Sequence, residues 1–339
     1  MRSRRAKKTV RAIEGNAGVA SAYAKVLRRE YNHIRDRFIA ELLKYVRSDN
    51  KKIAFDASLN ITGNEGLTGL LGRLLARFIK AARDIFTALA IRFGIKAARA
   101  TGQAQTEALK KAGIPAGMIR EMFRAPAPAP APADLPAQVQ GTVAEPNRQG
   151  FIVKSGQDIT GFVPSPTGTQ AVYRTDAELS LKIGGGYMSD RARAALPQII
   201  QDNTELITRM CARDLGRLQE AAAEGMEQGM SAPELETLLG SMKGFDAGRA
   251  RRVALDQVNK INTGVQTENA LALGMNKGIW IHVPGQYESR HSHEDILNGR
   301  EFDITQGMWD PEVRQYIMPA QLPYCRCIFR SVIPEELLQ

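Results

Sequence analysis

Three of the four histidines (His282, His291, His293), two of the three cysteines (Cys325, Cys327) and both tryptophans (Trp280, Trp309) lie between residues 280 and 330. Soft and borderline ligands gathered in this way suit zinc, which takes mixed nitrogen and sulfur sets in tetrahedral sites. His291, His293, Cys325 and Cys327 are the candidate ligands, in a His-x-His and a Cys-x-Cys pair. One intervening residue is fewer than zinc pairs usually have. Residues two apart on a strand nevertheless share a face. The competing reading is structural: Arg290 and His293 bonding buried backbone carbonyls, and the cysteines filling a core as small apolar residues. A catalytic reading also exists. His293, Glu294 and Asp295 beside Asn298 have the makings of a metal-dependent hydrolase acting on nucleic acid. Cys325 or Cys327 with His293 as base is the nucleophilic version. No second acidic or histidine cluster accompanies either version, so neither is preferred, and no catalytic residue is expected. The structural reading is preferred over metal binding and no cofactor is expected; zinc is the one cofactor the residue types admit.

The elements that must position these residues are mostly helical. Apolar residues recur at threes and fours over 21–47, with Tyr23, Leu27, Ile34, Phe38 and Leu42 among them. A second helix is expected over 67–99, with a wide stripe including Leu71, Leu74, Phe78, Phe86 and Phe93 opposite Arg73, Arg77 and Lys80. Such a basic amphipathic helix suits a core with a solvated face, or a membrane surface. A weaker helix is expected over 103–112. Helices are also expected over 189–227, with Pro197 in its first turn, over 231–239 behind the cap Ser231-Ala-Pro-Glu234, and over 246–273, ended by Gly274. The last is unusually rich in amides, including Asn259, Asn262 and Gln266. Strands are expected at 277–283 and 327–332, with a tight turn at Asn298-Gly299.

Composition divides the chain. Residues 1–124 carry 26 Lys/Arg against 10 Asp/Glu, a net of +16, and the remainder 20 against 26, a net of −6. A half so basic points to a polyanionic partner: nucleic acid, an acidic protein surface or an anionic membrane. Arg2, Arg4, Arg5, Lys7, Lys8 and Arg11 precede the first acid and are the candidate DNA contacts. The alternation APAPAPAPA at 125–133 cannot form helix or central strand. The expected organisation is a basic flexible tail (1–20), a basic helical domain (21–124), an Ala/Pro linker (125–147), short strands or an irregular arm (148–188), and a helical lead-in to a small α+β domain (189–334). The fold class is mainly α and multidomain. No apolar run follows the basic N-terminus and no long uncharged apolar stretch exists, so neither a secretory signal nor a spanning helix is expected. Three cysteines make no disulfide framework and suit a protein made in a reducing cytoplasm.

The order Gly274, Trp280, Arg290-His291-Ser292-His293, Asn298-Gly299, Pro319, Cys325-Arg326-Cys327 resembles the phage Mu F-like head-morphogenesis family, the minor head proteins of tailed bacteriophages. The resemblance covers about residues 214–334. Where many members carry an Asp-rich segment before the arginine, this chain has PGQYES. The resemblance implies a virion component beside the portal, inside the head. It also implies portal, capsid or scaffold proteins as partners, in several copies per particle, during assembly, packaging or genome delivery. Trp280, Arg290, His293, Asn298, Gly299, Pro319, Cys325, Arg326 and Cys327 are then fold-defining. Arg326, between two small thiols, is expected to face away from them and pair with Glu294 or Asp295.

Overall fold

The computed structural model describes residues 7–49, 67–123, 161–165, 168–172, 187–284 and 290–338. The Ala/Pro stretch, Arg2, Arg4, Arg5 and the triple glycine 184–186 lie outside them. The architecture is mainly helical with a small C-terminal sheet. Four long helices form the body: α1 (Ala17–Asp49), α2 (Leu67–Lys111), α4 (Asp190–Glu227) and α6 (Ala247–Ala272). Two short ones, α3 (Ala116–Met122) and α5 (Ala232–Ser241), pack at its ends. A hairpin of β1 (Gly161–Ser165) and β2 (Gly168–Val172) falls in the region expected to hold short strands.

The helices before and after the Ala/Pro stretch share one core. Tyr23, Leu27, Tyr31 and Phe38 of α1 and Phe78, Phe86 and Phe93 of α2 pack with Ile207, Cys211 and Leu215 of α4 and Val253 and Ala254 of α6. A second cluster joins Ala90, Ala97 and Ala98 of α2 to Leu196 and Ile200 of α4 and to Val258, Ile261 and Val265 of α6. The expected separation of a 21–124 domain from a 189–334 domain is therefore corrected: their apolar stripes are each other's partners. A ring stack crosses the junction, Tyr31 on Phe245 at 4.2 Å, while Tyr23 stacks on Phe93 at 4.8 Å between α1 and α2. The stripe of α2 faces this core, which removes the apolar face that the membrane-surface alternative needs. No described helix is long and apolar enough to cross a membrane.

Local boundaries follow the expected chemistry with three corrections. The helices expected at 67–99 and 103–112 are one element, because α6 packs along the join and bonds it, with Thr101 donating to Asn262 and Gln105 to the Gln266 carbonyl. Pro197 is the eighth residue of α4, not in its first turn, so the helix carries it at the cost of one backbone bond. The tail is not free over its described part. Val10 N–H donates to the Ser331 carbonyl at 2.9 Å and Ile333 N–H to the Lys8 carbonyl at 3.0 Å, so the chain start lies beside the last strand as an extra short partner. Val10 and Ile13 are buried. The Glu234 carboxylate accepts from both the backbone and the hydroxyl of Ser231, capping α5 as expected. Asp246 caps α6 by accepting from Arg249 N–H at 2.7 Å. At the other end Gly274, at φ 73°, ends the helix while Met275 N–H donates to the Ala270 carbonyl.

The C-terminal module is built on β3 (Lys277–Ile281), the middle of three antiparallel strands between β4 (Glu301–Asp303) and β7 (Ile328–Ser331). Trp280 stands opposite Phe329 in this register. A hairpin of β5 (Met308–Asp310) and β6 (Gln315–Ile317) lies apart from the three-stranded sheet. The module's core takes Trp280, Phe302, Ile317, Cys325, Cys327 and Phe329, and also Leu109 at the end of α2, Ile119 of α3 and Val10 of the chain start.

Candidate metal centre

His293 enters the core on a single π-helical turn, Ser292–Leu297. Its neighbours Glu294 and Asp295 point outward, while His293 is only 2% exposed. Nε2 lies 3.1 Å from Oδ2 of Asp310, a carboxylate at 0% exposure on β5. The Ser292 hydroxyl and the Glu312 N–H also donate to Asp310, so both of its oxygens are engaged as acceptors. An ionised carboxylate facing Nε2 requires a proton on that nitrogen. The lone pair is then on Nδ1, and Nδ1 lies 3.5 Å from both Cys325 Sγ and Cys327 Sγ.

Three further residues complete the surroundings. Trp280 packs edge-on to the His293 ring at 5.3 Å. Its indole N–H, buried at 0% exposure, has no hydrogen-bond partner of ordinary geometry, though it favours negative charge on the Cys327 sulfur. His282 follows β3, two residues past Trp280, and its Nδ1 lies 3.7 Å from Cys327 Sγ. Asn298 holds it there: its side-chain oxygen accepts from His282 N–H at 3.0 Å, while Gly299, at φ 75°, donates to the Trp280 carbonyl. The Asn-Gly turn thus sets the end of β3. Asp256 of α6 accepts from Tyr324 N–H at 2.6 Å and so pins the left-handed residue just before Cys325. Burial raises the Asp256 carboxyl against the opposing pull of Lys260.

The two thiols share a proton. The Cys327 thiol holds Cys325 well below the usual thiol range, aided by His293 and opposed by burial, whereas Cys327 is pushed upward by its bond to Cys325 and by burial. The centre thus brings two sulfurs and one imidazole nitrogen together in a dry pocket.

Several expected site residues lie elsewhere. His291 is exposed and pairs with Asp295 Oδ2 at 2.6 Å, so it is not a member of the cluster. The side chain turns away because the tight π turn presents Ser292 and His293, not His291, to the core. Arg326 does face away from the thiols, but it donates to the Pro284 carbonyl at 3.2 Å rather than to Glu294 or Asp295. Arg290 donates to the Pro323 carbonyl at 3.1 Å, a carbonyl on an exposed residue rather than a buried one, and His293 is met by a carboxylate instead of a carbonyl. The nuclease arrangement does not form: Glu294 and Asp295 are exposed and on the opposite side of the turn from the His293 ring. The sulfur–imidazole contact does form, but Cys325 and Cys327 are 4% and 2% exposed. Pro319 is buried beside Ala320, which adopts φ 63°. Of the DNA-contact candidates, Lys7 is ion-paired with Glu301, and Lys8 and Arg11 are exposed.

Asp310 and His282 were missed from sequence. His282 carries a signal in retrospect, because it continues the strand alternation two residues after a tryptophan. Asp310, in a Trp-Asp-Pro run, carries none: it is indistinguishable from a turn aspartate until β5 is placed against the π turn. No protein-family model, characterised protein or solved structure matches the chain.

Proposed function

We propose that this protein is a minor head protein of a tailed bacteriophage, acting beside the portal and against packaged double-stranded DNA. The observation that carries the reading is the convergence of its family-like residues. Trp280, His293, Asn298, Gly299, Cys325 and Cys327, spread over 48 positions, all serve one buried centre. The basic half supports the DNA contact. Lys25, Arg28 and Arg29 on α1, and Arg77, Lys80, Arg83, Arg92 and Lys96 on α2, are exposed while the opposite faces fill the core. Such rows bind phosphates with little sequence preference and with strong salt dependence.

Mass spectrometry of particles purified from a lysate of the producing strain tests the reading. The protein is expected in them at a copy number far below that of the major capsid protein, and to co-purify with the portal. Its absence from particles would overturn the assignment. DNA binding is checked separately: replacing Arg77, Lys80 and Arg83 with Ala should reduce the dependence of log K on log salt by about 0.9 for each lost phosphate contact.

A further inference from the structure

We infer that His293, Cys325 and Cys327, with His282 as fourth ligand, form a structural zinc site. The inference is independent of the phage reading and rests on the geometry around the His293 ring.

Nδ1 of a neutral imidazole has one lone pair and accepts one good hydrogen bond. Here two sulfurs stand at the same 3.5 Å from it, an arrangement that one lone pair does not satisfy and one cation does. Zinc–sulfur and zinc–nitrogen bonds of about 2.3 and 2.0–2.1 Å at tetrahedral angles require sulfur–nitrogen edges of about 3.6 Å. The two His293 edges are 3.5 Å, and the His282 Nδ1 to Cys327 edge is 3.7 Å. The three core ligand atoms lie within 4.8 Å of one another. His282 lies outside that set but approaches from the Cys327 side at the end of β3, so a shift of its side chain would bring it to the remaining apex.

The outer shell is also that of a metal site. A ligating histidine generally donates its other nitrogen to a carboxylate, which fixes its tautomer. Asp310 does this for His293, with no exposure and with two further donors holding it. The Trp280 indole N–H is buried without a hydrogen-bond partner, and its ring packs edge-on to His293. Zinc binds both cysteines as thiolates, so coordination releases thiol protons to solvent. With all four positions taken by the protein, the ion would be structural. It would tie the end of β3, the π turn and the entry to β7 in a module whose own core is small.

The full chain, purified under reducing conditions and loaded with zinc, should retain about one ion per molecule after gel filtration, as measured by elemental mass spectrometry. Cobalt substituted for zinc should show the visible bands of tetrahedral coordination and a thiolate charge-transfer band. The wild-type spectrum alone reports the sulfur ligation, so the result does not depend on how well the cysteine variants fold. Asp310→Asn should weaken the metal by about 10–100-fold. His282→Ala should weaken it too, with the charge-transfer band kept, and His291→Ala should leave the affinity unchanged. No retained metal, an octahedral cobalt spectrum, or a Cys325–Cys327 disulfide in anaerobically purified protein would each overturn the site. An unchanged affinity in His282→Ala would overturn the fourth-ligand assignment.

Discussion

Tyr23 is the residue at which burial and hydrogen bonding are in open conflict. Its ring is stacked on Phe93 in the main core, yet its hydroxyl has no partner there. A buried unpaired hydroxyl costs more than an absent one. Tyr23→Phe is therefore expected to leave stability unchanged or raise it by up to ~1 kcal/mol, read as the urea midpoint. Cys211 behaves differently. Burial, aided by Asp214 and opposed by Arg249, pushes its thiol up to about 12 from an ordinary 9.0. The folded state then holds this proton more tightly than the unfolded chain does. Its contribution is fully present below pH ~9 and is lost as the pH rises toward ~12, by up to ~1.4 kcal/mol per pH unit. Unfolding measured across this alkaline window should show that slope, reduced in Cys211→Ala. A pH-independent stability there would contradict the burial argument.

At the scale of elements, α6 explains its own odd composition. Amides in a surface helix would be neutral filler, but here they face inward and satisfy backbone groups of other segments. Asn262 donates to the Ile13 carbonyl at 2.7 Å and accepts from Thr101 at 3.0 Å. Gln266 donates to the Phe329 carbonyl of β7, and Asn269 joins Gln105 of α2 to the N–H of Ser189, the cap of α4. One helix thus holds the chain start, α2, α4 and the sheet. Asn262→Leu leaves the Ile13 carbonyl short of its partner, and is expected to cost about 1–3 kcal/mol. Hydrogen exchange should rise around residues 8–14, which that side chain ties down. Equal protection in the variant would show that the sheet contacts alone hold the segment.

For the whole molecule, the decisive feature is that the basic and acidic halves share a core across a stretch that cannot itself be helix or central strand. A site-specific protease sequence placed at 125–147 should give two fragments that stay together through gel filtration. Either fragment expressed alone should fail to give the cooperative unfolding of the whole, because the stripes of α1 and α2 would face water. Fragments that separate and fold independently would restore the two-domain organisation. The shared core also sets the charge layout. Because the apolar faces of α1 and α2 are spent on α4 and α6, their basic faces are what the protein shows on that side.

Periodicity, capping and turn chemistry act over a few residues, so they could be read without a structure. The stripes of α1, α2, α4 and α6, the Ser231 cap, the Gly274 stop and the Asn-Gly turn were legible for this reason. The residue types of the centre were legible too: His293, Cys325 and Cys327 stand out by rarity alone. What covers each stripe was not, because an apolar face specifies burial and not a partner. The Ala/Pro stretch therefore read as a domain boundary. The ligand set shows the same limit at finer scale. His291 and His282 are equally plausible by type, and only the handedness of one π turn and the end of one strand decide that His282 faces the sulfurs. Asp310 comes to His293 from 17 residues away, through a hairpin whose packing no local signal encodes. Local order determined which elements and which chemistry this chain has; long-range packing alone decided which of those residues meet.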